Sequence, residues 1–343
     1  MRAAVLEEPC RLVCTEVPAP ELKPGEVRIA VKYCGICGSD LHIVYDGSLR
    51  YPHIPGHELS GVVVEAADDA GRGLVGKEVV AYGIEGCGSC EFCRKGDWPK
   101  CQSYTFIGAG SDGAMAEYAN YPARNVIPLD GVSLRDAALV EPVAVTVHAA
   151  RLLSDPTAPA VVVGTGPIGL LAAQVLRAMG SERVVVVGFS DRKERLVREL
   201  GFPFANCSTA SAGDILELAG SKGGVASVLE CSGRVSGLDA ALSAAKPGAD
   251  VVLVGIFGPE ARVGAGELQK VLRKELNVRG SWISSHNPEQ RESDWVLAMG
   301  MIRDGRIDVE RMVTDEVGLE GLAEKLDDLH NRRTADIKVL VRI

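Results

Sequence analysis

A chain of 343 residues exceeds the ~250–300 at which single hydrophobic cores stop growing, so two domains are expected. With 46% hydrophobic residues, 24% charged residues and a formal net charge of -9, the composition is that of a soluble globular protein. Its acidic balance excludes general binding to nucleic acid or to an anionic membrane surface, both of which reward clustered Lys and Arg.

The opening Met1-Arg2-Ala3-Ala4-Val5-Leu6-Glu7-Glu8 lacks the apolar core of a signal peptide. The longest apolar stretch, 158–176, is interrupted by Gly164, Gly166, Pro167 and Gly169, so no membrane span is expected. Ten Cys without a secretory signal read as reduced thiols of a cytoplasmic protein, with metal binding favoured over disulfides.

Alternating apolar and polar positions around Pro18, Pro20, Pro24 and Gly25 predict short strands and turns in the first 30 residues, and 27–31 reads as a strand. Gly35-Ile36-Cys37-Gly38-Ser39-Asp40-Leu41-His42 and Gly56-His57-Glu58 follow. A lone Cys or His is most often a packed core residue. Here a thiolate, an imidazole and a carboxylate stand near a hydroxyl and a second imidazole, which suits a zinc ion with three protein ligands and one open position. Strands at 61–65 and 77–81, each bounded by glycine, extend a small β-barrel domain. Cys87, Cys90, Cys93 and Cys101 then form two C-x-x-C spacings and a fourth thiol within a lobe over 86–102. Four thiolates leave no open position, the pattern of a structural zinc; an iron–sulfur cluster or unrelated free thiols are the alternatives.

Helical texture is expected over 136–148, where Glu141 sits in apolar surroundings. A buried carboxylate there needs a metal or a salt bridge. A buried strand at 160–163 leads into Gly164-Thr165-Gly166-Pro167-Ile168-Gly169 and an apolar helix through Met179. Strand, G-x-G-x-x-G and helix in this order predict a dinucleotide site with its pyrophosphate at the helix N-terminus. Further strands at 183–187, 227–231 and 250–255 make this a doubly wound parallel sheet. The carboxylate expected ~20 residues past the glycines to hold an NAD ribose falls on Gly188. Ser190, Arg192 and Lys193 offer a hydroxyl and two cations for a 2′-phosphate, so NADP is favoured over NAD, with Asp191 the ribose partner if the register shifts by three. A strand at 277–282, helices at 294–304 and 319–332 and a strand at 337–342 close the chain. The expected division is 1–147 with 281–343 as catalytic domain and 148–280 as dinucleotide domain.

Gly-Ile-Cys-Gly-Ser-Asp at 35–40, Gly-His-Glu at 56–58, the four-Cys lobe, Glu141-Pro142 and the glycines at 164–169 together resemble the zinc-dependent medium-chain alcohol and polyol dehydrogenases, along nearly the whole chain. Phe106-Ile107-Gly108, 112–118, 272–276 and Gly280-Ser281-Trp282 are similar to the polyol branch of sorbitol, galactitol-phosphate and threonine dehydrogenases. The resemblance implies a GroES-like β-barrel catalytic domain beside a Rossmann domain. It implies Cys37 and His57 as ligands of a catalytic zinc, Glu58 as ligand or immediate partner, and Glu141 in place of a third cysteine. Ser39 and His42 match a proton relay. Two zinc ions per chain are implied, together with hydride transfer between a secondary alcohol, a polyol or polyol phosphate, and NAD(P), and assembly as a homodimer or homotetramer. Gly188 departs from the acid usual in that branch. An L-threonine-type amino-alcohol dehydrogenase is the nearest alternative, and a non-catalytic zinc- and NADPH-binding sensor or scaffold is the other. Tyr45, Trp282, Ser284 and His286 are candidate pocket residues; Cys10, Cys14, Cys34, Cys207 and Cys231 are expected to be small buried hydrophobes.

Overall fold

A computed structural model describes residues 1–47, 51–287 and 292–343. The chain divides into one unit of Met1–Glu141, Ser285–Arg303 and Met312–Ile343, and a second of Pro142–Ser284 with Asp304–Arg311. The short segment 304–311 goes with the second unit because Asp308 N–H donates to Gln174 Oε1 at 2.7 Å and Arg306 donates to the Ala178 carbonyl at 3.4 Å.

In the first unit β1 (Arg2–Glu8) and β2 (Arg11–Glu16) form an antiparallel hairpin. β3 (Glu26–Gly35) buries Val27, Ile29 and Val31 on one face, the period-two pattern of a half-buried strand. It pairs antiparallel with β4 (Glu58–Ala66), and the register ends on Gly35 opposite Glu58. β5 (Glu78–Ala81) follows, then the short pair β6 (Ile84–Glu85) and β7 (Thr105–Phe106) flanking the cysteine lobe, then β8 (Tyr118–Pro122) and β9 (Val126–Pro128). The helical stretch expected at 136–148 is two helices, Leu134–Ala137 and Val140–Arg151. Pro142 falls in the first turn of the second, where its missing N–H removes no intrahelical bond.

The second unit is a six-stranded parallel sheet of β10 (Ala160–Val163), β11 (Val184–Gly188), β12 (Phe204–Asn206), β13 (Val225–Glu230), β14 (Ala245–Leu253) and β15 (Asn277–Gly280). The valines of β10 and β11 are buried in continuous runs, as expected of parallel strands covered on both faces. The order β12-β11-β10-β13-β14-β15 reverses between β10 and β13. A dinucleotide binds at such a reversal, outside the carboxyl ends of the strands.

The chain then adds β16 (Val313–Gly318) and β17 (Lys338–Arg342) to the first unit's sheet, whose order is β16-β17-β3-β4-β5-β9 with β8 also on β3. β17 runs antiparallel to β3 and places Leu340 opposite Gly35. Val27, Ile29, Val63 and Val79 share a core with Leu322 and Leu326 of the helix Leu322–His330 and with Val339 and Val341.

Candidate active site

Because β3 and β4 pair out to Gly35 and Glu58, the residues just past the end of one strand meet those just before the other. A Cβ on Gly35 would lie 2.1 Å from Glu58 Oε2, so only glycine permits this approach. Cys37 caps the eight-residue helix Gly38–Tyr45, and its N–H donates to Asp40 Oδ2 at 2.8 Å. The ligand atoms of Cys37, His57 and Glu58 lie within 4.8 Å of one another. Glu141, in the first turn of Val140–Arg151, is buried and near enough to exchange charge effects with all three, but is not part of that close group.

Two residues to which the sequence assigns no role of their own complete the cluster. Lys338, fully buried in β17, donates to Glu58 Oε1 at 2.7 Å and to the Ile36 carbonyl at 2.8 Å. Asp40, also buried, presents Oδ1 3.8 Å from His57 Nδ1. An imidazole whose Nδ1 faces a carboxylate is oriented to offer Nε2 to a metal.

The charge balance of this cluster suits a cation. Burial pushes the Cys37 thiol up to about 12, with the Glu58 charge adding to it. Burial likewise raises Glu141 to about 8. Asp40 Oδ1 and His57 Nδ1 are buried without a hydrogen bond, and Glu58 Oε2 has, among the described residues, only the Lys338 ammonium, 2.5 Å away, for an ion-pair partner. One lysine against a thiol and three carboxylates leaves buried negative charge, and the S, N and O donor set is one that zinc accepts.

The Ser39 side chain is near enough to the Cys37 thiol to act against the rise in its pKa. His42, three residues on along the same helix, is exposed and sits with Nδ1 2.9 Å from Asp46 Oδ2. Positions three apart share a helix face, so Ser39 and His42 lie on one side of this helix.

Cys87, Cys90, Cys93 and Cys101 gather as the second cluster, their sulfurs also within 4.8 Å of one another. Cys87 and Cys93 sulfurs are 3.9 Å apart. A tetrahedral Zn–S length of ~2.3 Å puts sulfurs ~3.8 Å apart, so the lobe fits that ion. Backbone N–H groups of Cys93 and Cys87 point at the Cys90 and Cys101 sulfurs, both at 3.4 Å, as thiolates require.

In the second unit Gly164 has φ +124°, and a Cβ on Gly169 would stand 2.1 Å from the Gly164 carbonyl oxygen. Gly166 caps the helix Pro167–Ala178, which opens on Pro167 and Ile168. Gly188 ends β11 with no room for a side chain, since its Cβ would lie 2.7 Å from the Phe204 ring. Ser190 and Arg192 are exposed just beyond, with Lys193 beside them. Asp191 accepts from Asn206 Nδ2 at 2.8 Å.

Of the other candidates, Tyr45 stacks on His330 at 3.9 Å, Trp282 is 49% exposed, Ser284 is buried, and His286 is buried edge-on to Tyr82. Burial pulls the His286 imidazole down to about 4. Cys34 is buried as expected of a small hydrophobe, but Cys207 and Cys231 are only half-buried, and Cys10 and Cys14 are exposed, because they lie on the outer hairpin. No helix among the described residues is long and apolar enough to cross a membrane.

Residues 23–131 match the alcohol dehydrogenase GroES-like domain and residues 167–299 the zinc-binding dehydrogenase domain. The chain is 31% identical to galactitol 1-phosphate 5-dehydrogenase of Escherichia coli, over 90% of this chain and 91% of that one. It is 35% identical to a sorbitol dehydrogenase of Halalkalibacterium halodurans over 87% of each chain. A zinc-binding dehydrogenase of Sinorhizobium meliloti, solved bound to NADP, superposes with a TM-score of 0.87 at 29% identity, covering 100% of this chain and 99% of that one. The chain therefore belongs to the zinc-dependent medium-chain alcohol and polyol dehydrogenase family. Its members are oxidoreductases that transfer a hydride between a secondary alcohol and NAD(P).

Proposed function

We propose that this chain oxidises and reduces the secondary alcohol of a polyol or polyol phosphate with NADP, using one zinc at Cys37, His57 and Glu58 and a second at the four-Cys lobe. The single observation that carries the reading is the buried close group of thiol, imidazole and carboxylate with its excess negative charge. Zinc bound there supplies Lewis acidity, lowering the pKa of a hydroxyl in the open position. Cys37, His57 and Glu58 would hold the ion, with the Asp40 carboxylate facing the imidazole Nδ1. Glu58, tethered by Lys338, and Glu141 adjust the charge around it. Ser39 takes the substrate proton and His42 hands it to water. Glu141, buried nearby, would be available to the ion as a further carboxylate.

Gly164, Gly166, Pro167, Ile168 and Gly169 form the cradle of the pyrophosphate. The absence of a side chain at Gly188 and the cations Arg192 and Lys193 support a 2′-phosphate in place of a free ribose hydroxyl. The expected result of a screen of polyols, polyol phosphates and amino alcohols with NAD and NADP in parallel is turnover with a polyol class and NADP. Arg192→Ala should weaken NADP about tenfold and leave NAD unchanged, one charge-assisted contact being worth roughly 1.5 kcal/mol. Turnover confined to L-threonine and NAD would replace this reading with the amino-alcohol one.

The working form is a homodimer or homotetramer in a reducing compartment, the cytoplasm. Support for assembly comes from β15, a sheet edge whose four residues are all exposed, beside Leu268 (60%) and Leu272 (70%) on the helix Ala265–Arg273. An open sheet edge of this kind, with exposed leucines on the preceding helix, favours pairing with a second copy. Light scattering that finds only monomer at micromolar concentration would remove the assembly. All ten cysteines are free, which supports the reducing compartment.

A further inference from the structure

The second unit contains a buried carboxylate that nothing above employs. Glu230 ends β13 and is fully buried. Its Oε1 accepts from Ser232 N–H at 2.8 Å and from the Ser232 hydroxyl, and its Oε2 accepts from Gly233 N–H at 3.2 Å. None of these partners is cationic. The Glu230 carbonyl accepts from Val254 N–H at 2.8 Å and Gly255 N–H at 2.9 Å, so this residue also ties down the turn after β14. Space here is minimal. A Cβ on Gly164 would stand 3.0 Å from the Cys231 carbonyl carbon, one on Gly255 2.2 Å from Gly233 N, and one on Gly237 2.6 Å from Glu230 Oε1.

A neutral residue could close this turn at less cost, since burying an ion without a counter-ion is expensive. Burial raises the Glu230 carboxyl above the ordinary carboxylate range, and the three donors act against that rise by favouring the ionised form. The position gives the charge a use. β13 pairs with β10, Val163 beside Glu230, across the reversal of strand order. A pyrophosphate over Gly164–Gly169 and an adenosine ribose at the end of β11 leave the nicotinamide half on the other side of the reversal, over the ends of β13 and β14. That ring is positive when oxidised and neutral once it has accepted a hydride.

We propose that Glu230 is a positioning residue whose buried charge, held by Ser232 and Gly233, makes the chain bind oxidised dinucleotide more tightly, relative to reduced, than the same loop would without it. This rests on the dinucleotide reading of the second unit. The test is equilibrium binding of NADP+ and NADPH, and of NAD+ and NADH, to wild type, Glu230→Gln and Ser232→Ala, which requires no turnover. Glu230→Gln is expected to raise the ratio of oxidised to reduced dissociation constants about three- to tenfold, the range set by one charge acting through protein. A tenfold change moves the midpoint potential of the bound couple up by about 30 mV. Ser232→Ala disturbs the same loop but keeps the charge, so both constants should move together. Should Glu230→Gln not fold, Glu230→Ser, which lets water reach the freed N–H groups, gives the same comparison. Equal losses for both oxidation states, or no change in either, would show that Glu230 only shapes the loop and overturn the inference. Wild type binding none of the four dinucleotides would instead overturn the dinucleotide reading and the inference with it.

Discussion

Cys37→Ala is expected to remove one of two zinc ions per chain and to lower kcat/KM by at least about 10³, since Lewis-acid stabilisation is worth several kcal/mol and each tenfold is about 1.4. NADP binding should survive, because the glycine cradle and Gly188 belong to the other unit. The reason for the loss is geometric as well as chemical. The sulfur stands at the cap of Gly38–Tyr45, and no other thiol is in the close group with His57 and Glu58 among the described residues. Zinc content by elemental analysis, steady-state kinetics and NADPH fluorescence titration read the three quantities separately. A variant that keeps both ions and normal turnover, or turnover that persists after chelation, would defeat the proposed chemistry.

The second large effect is expected at Lys338. Its ammonium is the cation bonded to Glu58, and it also lowers the pKa of Cys37 and Glu141. Removing one partner of a buried pair typically costs about 3–5 kcal/mol, because the other charge is left uncompensated. Lys338→Met keeps the length of the chain and deletes the charge. Urea unfolding should show the full loss in chelated protein and a smaller one after zinc is added, since the two cations neutralise the same carboxylate. Equal losses in both conditions would mean that lysine and metal do not share that charge.

The short-range parts of the site were legible in the sequence. Cys37, His57, Glu58 and the four-Cys lobe announce themselves by ligand type and spacing, and the glycine hexapeptide by its place between strand and helix. Lys338 did not, because Lys-Val-Leu-Val-Arg reads as a strand with an outward lysine; only pairing of β17 with β3 turns that residue inward. Asp40 was read as part of a motif, and its role depends on the approach of His57 from another strand end. The helix Gly38–Tyr45 is eight residues long, starts on glycine and gives little periodicity to detect. β16 was missed for a similar reason: Val-Thr-Asp-Glu-Val-Gly carries too few apolar residues to signal a strand without its parallel partner β17. The single helix read at 136–148 breaks because Ser133 caps a first short turn, and a second helix begins at Val140.

The tether between Glu58 and Lys338 spans 280 residues of chain. Synthesis proceeds at roughly 5–20 residues per second, so a nascent chain carries this carboxylate for about 14–56 s before its counter-charge has been made. Over that interval Lys338 cannot supply the counter-charge, and the Glu58 carboxylate must be solvated by water, protonated or met by another cation. Drying of the β3–β4 ribbon at its Gly35 end, in the form seen here with Lys338 bonded to Glu58, therefore comes only after the parallel sheet has been translated.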